Sequence, residues 1–283
     1  MTDVDSNSGN DNYIPTILLP EPDDPAIEFY IRNYAQKAAT LRIRAEKVEL
    51  EQAADMLTSG EVDAVVVGAT YPSKQVFLTA IHKIGAANKD ASSFFVMEKT
   101  GEPTLYFADC AVNPDPDALR LARIAEQTCV NAQRLGDEPV VAFISYSTAG
   151  SAGGPSVEKV QTATAEFQSR HPDIKAYGDI QWDAATNEQI YKKKNQGKGY
   201  TDGKKPNIFI FPNLDTGNSM YKAMEWPGGY TAIGPLTQGL DGDADFHDLS
   251  RGVSASSLDR ICQTVAKLVR ARHDNKERPA NAK

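Results

Sequence analysis

Cysteine is scarce in this sequence, and so are the features that would place it in several broad functional classes. Cys110, Cys129 and Cys262 are widely spaced and include no CxxC, so neither a disulfide framework nor a structural zinc site is indicated, and a reducing compartment fits best. The four histidines, His82, His171, His247 and His273, share no metal-ligand spacing; they read as surface or structural residues, and no metal is expected. No apolar run approaches membrane-spanning length, and the opening MTDVDSNSGNDN is acidic where a leader would be basic and then apolar, so the expected location is the cytoplasm, with no membrane partner. Positive charge is not in excess either: the net charge of −8 argues against nucleic acid as a partner. Walker A, GxGxxG and GxSxG motifs are all absent, which leaves a nucleotide P-loop, a dinucleotide fingerprint and a serine hydrolase without support.

What is present is an alternation. With 283 residues, 41% of them hydrophobic, the chain can bury one large core or two modest ones. Strand-like apolar runs occur at 16–19, 64–67, 94–97, 105–107, 140–144 and 208–211, separated by helical patterns, which predicts an α/β fold. Helices are expected over 46–59, ending at Gly60, and over 117–135, ending at Gly136. A last helix carries Leu258, Ile261, Val265, Leu268 and Val269, with Ser254 as its cap. The turn at Thr100-Gly101 between two apolar runs predicts a hairpin, hence a mixed sheet. Residues 1–12 and 273–283 have the composition of disordered tails.

Candidate chemistry gathers where strands end. After Val140 to Ile144 comes a loop with hydroxyls at Ser145, Ser147, Thr148 and Ser151 and glycines at 150, 153 and 154, leading into a helix with Val157, Val160, Thr164 and Phe167 on one face. Flexible glycines and a helix N-terminus suit an anion, although such a turn can equally be only a turn. Three further clusters follow the same logic: Asp109 to Pro114, Pro212 to Asn218, and His247 to Gly252. In the last of these Arg251 offers a bidentate fork for phosphate oxygens ahead of a helix N-terminus, and it is the best single binding candidate. The basic stretch from Tyr191 to Lys205 reads either as a solvated loop or as a positive flap over a polyanionic ligand such as a coenzyme phosphate.

YSTAGSAGGPSVEKV (146–160), DIQWDAA (179–185), NIFIFPNLDTGNSMYK (207–222), AIGPLTQGL (232–240) and DLSRG (248–252), together with DCAVNP (109–114), closely resemble the phosphate acetyltransferase and phosphate butyryltransferase family, in the right order. TILLPEP (16–22) is similar to that family's opening strand. The resemblance implies a two-domain α/β/α fold related to isocitrate and isopropylmalate dehydrogenases. One domain would span 13–90 plus 237–272 and be shortened relative to the family; the other would span 91–236. It also implies a homodimer, an active site between domains, and reversible exchange of an acetyl or short acyl group between coenzyme A and phosphate. Coenzyme A and acyl phosphate would be substrates, and no cofactor is implied. Carried across by position, Ser250 and Arg251 would be catalytic; Ser147, Thr148, Gly150 and Ser151 would line the acyl phosphate site, with Asn113 and Asn218 as further polar contacts.

The chain departs from the family's pattern at several positions. The aspartate that the family places in the first turn after SRG is Ser257 here, and Asp259 lies about 200° further round a helix. A substrate-binding arginine aligns with Leu78, with Lys74 nearby, and the cysteine often found after SRG is Val253. These changes raise a second expectation: a family-like domain that binds acyl-CoA or acyl phosphate as a regulatory module without turnover.

Overall fold

The structure is a computed structural model that describes residues 13–86 and 90–277. The chain opens with β1 (Thr16–Leu19), α1 (Pro25–Asn33), β2 (Arg42–Ala45), α2 (Leu50–Thr58), β3 (Ala64–Val67) and α3 (Ser73–Lys83). It continues through β4 (Ser92–Glu98), β5 (Leu105–Ala108), α4 (Ala118–Arg134), β6 (Val140–Ile144), α5 (Pro155–Arg170) and β7 (Lys175–Ile180). The remainder is α6 (Trp182–Thr186), α7 (Glu188–Lys194), β8 (Ile208–Ile210), α8 (Leu214–Glu225), β9 (Thr231–Gln238), β10 (Asp245–Asp248) and α9 (Ala255–Glu277). Helix α9 therefore carries the chain through 273–277, where a tail was expected; 1–12 and 278–283 lie outside the described residues.

Two sheets result. The smaller, in the order β10-β3-β1-β2, is parallel throughout; β3 reads Ala-Val-Val-Val and is buried on both faces, as a central parallel strand requires. The larger, in the order β7-β6-β8-β5-β4-β9, is parallel across its first four strands, and the β4–β5 hairpin makes it mixed, as the Thr100-Gly101 turn predicts. β9 keeps Thr237 and Gln238 in the larger sheet, two residues beyond the expected boundary at 236. The parallel strands β5, β6, β7 and β8 all deliver their following loops to one edge. β1, β3 and β10 do the same for the smaller sheet.

Local signals set most boundaries. Asp24, Asp117 and Asn213 cap α1, α4 and α8 by accepting first-turn N–H bonds, and Ser254 accepts from Ser257 N–H at 3.1 Å to cap α9. Helix α2 starts at Leu50, four residues later than its apolar pattern, because Arg44 pairs with Glu46 and Glu49 keeps extended backbone. Four strands carry no strand-like apolar run: β2 is Arg-Ile-Arg-Ala, β9 contains Gly234-Pro235, β10 is Asp-Phe-His-Asp, and β7 has Gly178-Asp179 near its end.

A buried amide cluster ties β4, β9 and α4 together. Gln238 Nε2 donates to Ser92 Oγ and Thr128 Oγ1, each at 3.0 Å, and its Oε1 accepts from Asn131 at 3.1 Å. Across the seam between the sheets, Thr237 N–H donates to Nδ1 of buried His247 at 3.1 Å, and Asp245 pairs with Arg272 at 3.0 Å. His247 is thus structural, and His273 stacks on Tyr13. Among the described residues no side-chain group could hold a metal ion, no helix is long and apolar enough to cross a membrane, and the three cysteines are buried and unbridged.

Gly217 on α8 gives the packing a test. A Cβ there would collide with the Asp109 carbonyl oxygen and press on Cys110 Sγ, which would stand 3.2 Å away. Glycine to alanine inside a helix ordinarily gains about 1 kcal/mol. Gly217→Ala is expected instead to lose about 1–3 kcal/mol through overpacking, read as a lower urea midpoint; a higher midpoint would contradict this packing.

Candidate functional site

The loop between β6 and α5 is built around a carboxylate. A loop with left-handed backbone at Ala149 and Gly150 turns its N–H groups inward, where each needs an acceptor. Asp179, near the end of the neighbouring strand β7, supplies two: Ala149 N–H donates to its carbonyl at 3.0 Å and Gly150 N–H to its Oδ2 at 3.3 Å. Gln161 on α5 donates to Oδ1 at 3.0 Å. Burial works to raise the Asp179 pKa, but the Ser147 hydroxyl, Gln161 and Gly150 N–H together outweigh it and hold the carboxyl below its usual range.

This arrangement decides where the hydroxyls of the loop point. Ser147 and Thr148 are each 0% exposed. Ser147 Oγ accepts from Ala152 N–H at 3.0 Å, and Thr148 Oγ1 accepts from Gln181 N–H and donates to the Gln181 side chain. Both were expected to line an acyl phosphate site; both instead brace the loop from within. Gly150 and Ser151 remain exposed, as does Tyr146, whose hydroxyl donates to Gly153 O at 2.9 Å. Helix α5 follows with Gly154 and Pro155 and no side-chain cap, so its N-terminus stays unfilled by this chain's own side chains.

The second cluster joins the β5–α4 loop to the start of α8. Asp109 accepts from the N–H groups of Ala111, Val112 and Asn113 and from the hydroxyl of Ser93. Asn113 Nδ2 donates to Ala91 O and to Asp109, and Asn218 Nδ2 donates to Cys110 O at 3.2 Å while accepting from Lys222. The amides of Asn113 and Asn218, expected as substrate contacts, are therefore engaged in holding the loop. Lys159 Nζ bridges the first two clusters, reaching Asp115 at 2.6 Å and Pro212 O at 2.9 Å.

The third cluster sits at the edge of the smaller sheet. Glu21, just past β1, accepts from the N–H groups of Gly68, Ala69 and Thr70 at 2.7–2.9 Å, filling the turn after β3. Beside it Asp248 closes β10, 1% exposed, with Oδ1 lacking any hydrogen-bond partner. Burial pushes its pKa up to about 7, the Ser73 hydroxyl and the Arg251 charge opposing and the Glu21 charge assisting. Ser250, Arg251 and Gly252 follow on the surface, ahead of the Ser254 cap. Among the described residues, no hydrogen bond or ion pair joins Ser250 or Arg251 to the β6–α5 loop.

The departures noted in the sequence are also placed. Ser257 lies in the first turn of α9 with its N–H and hydroxyl on Ser254, and Asp259 binds Gln263 instead of turning back. Leu78 is 43% exposed on α3, one turn after exposed Lys74. The stretch from Tyr191 to Lys205 is neither a bare loop nor an open flap. Tyr191 and Tyr200 stack on each other and pack on Tyr177, and Lys192, Lys194 and Lys204 pair with Glu188, Asp183 and Glu138.

Sequence reasoning missed the site's internal anions, Asp179 and Glu21, and the burial of Asp248. The available signal was an acidic residue at or just beyond the end of a buried strand. Such a residue is costly there unless it accepts several N–H bonds.

Comparison with known proteins shows the family and the fold. A family profile described as phosphate acetyl/butaryl transferase matches residues 13–266. The phosphate acetyltransferase of Mycoplasma pneumoniae is 43% identical over 209 residues, which cover 73% of this chain and 63% of that protein. That of Escherichia coli K12 is 37% identical over 214 residues, 75% of this chain and 29% of that protein. The chain thus spans less than two thirds of the length of these relatives. Among solved structures, the EutD phosphotransacetylase of Staphylococcus aureus superposes with a TM-score of 0.77 at 27% identity, covering 91% of this chain and 94% of that one. A phosphotransacetylase of Streptococcus pyogenes gives 0.80 at 24% identity over 93% and 95%, and a 4-hydroxythreonine-4-phosphate dehydrogenase of Klebsiella pneumoniae gives 0.51 at 10% over 90% and 88%; these two speak to fold alone. The last matches the expectation of a dehydrogenase-like architecture.

The raised pKa of Asp248 predicts a pH-dependent stability. A carboxyl held near 7 in the folded state and near 3.8 when unfolded costs nothing below pH 3.8; the penalty grows between the two values and is complete above about 7. Asp248→Asn is expected to raise the Tm at pH 8 and to leave it nearly unchanged at pH 4. Calorimetry at both pH values checks this, and an equal shift at the two would contradict the assignment.

Proposed function

The chain belongs to the phosphate acetyl/butaryl transferase family, and from that premise we propose that it exchanges an acetyl or other short acyl group between coenzyme A and inorganic phosphate. In the direction of thioester formation, the coenzyme sulfur bonds to the acyl carbon. The carbon–oxygen bond to phosphate breaks, phosphate leaves with the electron pair, and the thiol proton passes to solvent. No covalent intermediate on the protein is needed, so the work of the site is to position two anions and balance the charge that develops.

Arg251 is the observation that supports this reading best. Its guanidinium is exposed, takes part in no ion pair among the described residues, and stands beside Ser250 just before the N-terminus of α9. Most neighbouring anion-binding features are already filled by the chain's own carboxylates, and this cation is not. Ser250 and Arg251 are proposed as catalytic, with Gly150 and Ser151 at the exposed rim of the second wall and Ser147, Thr148, Asn113 and Asn218 supporting it. We further propose a cytoplasmic homodimer with coenzyme A as substrate and no resident cofactor or metal.

Ser257 is a neutral residue and supplies no base. A coenzyme thiol has a pKa near that of free cysteine, about 8.5, and the Arg251 charge with the α9 N-terminus lowers it by about one to two units. Purified protein with acetyl phosphate and coenzyme A is therefore expected to form thioester at a rate that rises from pH 6 to pH 8. Arg251→Ala should lower kcat/KM about 10- to 100-fold, the worth of a charged hydrogen bond of ~1.5–3 kcal/mol. Absence of thioester with acetyl, propionyl and butyryl phosphate alike would overturn the proposal, and a pH-independent rate would overturn this route of thiol activation.

A further inference from the structure

We propose that Lys159, near the start of α5, is a positioning residue for the acyl phosphate wall: it holds the β6–α5 loop at a fixed distance from the loops that follow β5 and β8. The inference rests on the reading of the β6–α5 loop, with Gly150 and Ser151 at its rim, as part of the substrate site.

The strand-end loops of the larger sheet form two separately braced blocks. In the first, the β6–α5 loop closes on Asp179 of β7 and on Gln181 just beyond it. In the second, the β5–α4 loop and the start of α8 are fastened to each other. Leu214 N–H donates to Pro114 O at 3.0 Å, Asn218 Nδ2 donates to Cys110 O at 3.2 Å, and Gly217 packs on the Asp109 carbonyl. Lys159 joins the blocks. Its Nζ donates to Asp115 Oδ1 at 2.6 Å and to Pro212 O at 2.9 Å, so a single ammonium ties α5 to both loops of the second block. Among the described residues, no other hydrogen bond or ion pair links the β6–α5 loop or the first turn of α5 to that block.

This lysine differs from an ordinary surface partner. Its side chain is only 19% exposed although that of Asp115 is 79% exposed, and its second acceptor is the carbonyl of buried Pro212. Helical side chains lean toward the N-terminus, so Nζ reaches back over the first turn of α5, which starts at Pro155. An exposed ion pair alone would contribute little. A bond from an enclosed ammonium to a backbone carbonyl fixes a separation instead. Without it, α5 and its loop are free to shift against the second block, and the rim that carries Gly150 and Ser151 moves with them. Small displacements of a binding wall are costly where two charged substrates must be aligned. Lys159 touches none of the reacting atoms, so its effect falls on how well acyl phosphate is held.

The test is steady-state kinetics with acetyl phosphate and coenzyme A for the wild type, Lys159→Met and Lys159→Arg, at about 0.05 M and about 0.5 M KCl. Lys159→Met is expected to raise the KM for acetyl phosphate about 5- to 20-fold while kcat changes less than about threefold, with the same ratio to wild type at both salt concentrations. Lys159→Arg keeps the charge and enough donors for both acceptors, and should bring the KM back to within about threefold of wild type. Persistence at high salt separates positioning from the loss of a positive charge, whose field is screened there. A lower Tm with an unchanged KM would overturn the inference, as would a KM rise that disappears at high salt or one that Lys159→Arg leaves in full. Lys159→Gln, which retains an uncharged donor, covers the case in which the methionine variant folds poorly; it is expected to show a smaller rise, and no rise would overturn the inference. In all of these results the wild type still forms thioester and the proposed function stands. Absence of thioester from the wild type would overturn both.

Discussion

Carboxylates at the ends of buried strands hold this structure's functional edges in shape. A loop that leaves a parallel strand and turns sharply exposes several backbone N–H groups in one direction, and each left unpaired inside the protein costs about 1–3 kcal/mol. Here the acceptors are supplied internally. Asp109 takes three N–H groups of its loop, Glu21 takes three in the turn after β3, and Asp179 takes one on its carboxylate and a second on its backbone carbonyl, across from β7 to the β6–α5 loop. Each of the three also receives or abuts a hydroxyl, from Ser93, Thr70 and Ser147 respectively. Without these acids the loops would have to refold around water, and the helices that start from them would lose their docking points.

This constraint also decides where a foreign anion can be held. A glycine-rich turn with inward N–H groups is an anion site only while it is empty, and two such turns already have their anion. What remains for a ligand is the surface left over: the uncapped start of α5, the exposed Gly150 and Ser151, and Arg251 with the first turn of α9. The hydroxyls of Ser147 and Thr148 contribute indirectly, through the rigidity of the loop they brace. The internal bonds hold these loops in one shape, so donors on their exposed rim would not have to be rearranged for a ligand.

Much of the fold was legible because it is written in apolar periodicity. β1, β3, β6 and the β4–β5 hairpin are short hydrophobic runs between turn residues, and α4 ends where Gly136 supplies its left-handed turn. β7, β9 and β10 escaped because their burial is achieved with residues that do not advertise it, and β2 because it is exposed or half-buried throughout and has no apolar run to show. β10 spells Asp-Phe-His-Asp yet is wholly buried, and its signal lies in partners far away in sequence. The site follows the same division. The hydroxyls and glycines of the β6–α5 loop could be read directly, whereas the carboxylate they close upon is about 29 residues along the chain from Gly150, and no local pattern links the two.

β10 shows how that hidden polarity is put to use. Three of its four residues are ionisable, and burying them is tolerable only where each charge or dipole is answered. Asp245 is answered by Arg272. His247 accepts a hydrogen from Thr237 N–H at Nδ1, which places its own proton on Nε2, 3.3 Å from Asp245. The Thr237–His247 bond fastens β10 to β9 and the Arg272 pair fastens it to α9, so the turn carrying Ser250 and Arg251 takes its position from the larger sheet as well as from its own. Asp248 differs from Asp245 in having no ion pair among the described residues, while its Oδ1, like Asp245 Oδ2 and His247 Nε2, is a buried atom with no hydrogen-bond partner. Natural sequences keep such an inconsistency mainly where function needs it, and here it falls three residues before the one exposed arginine of the turn.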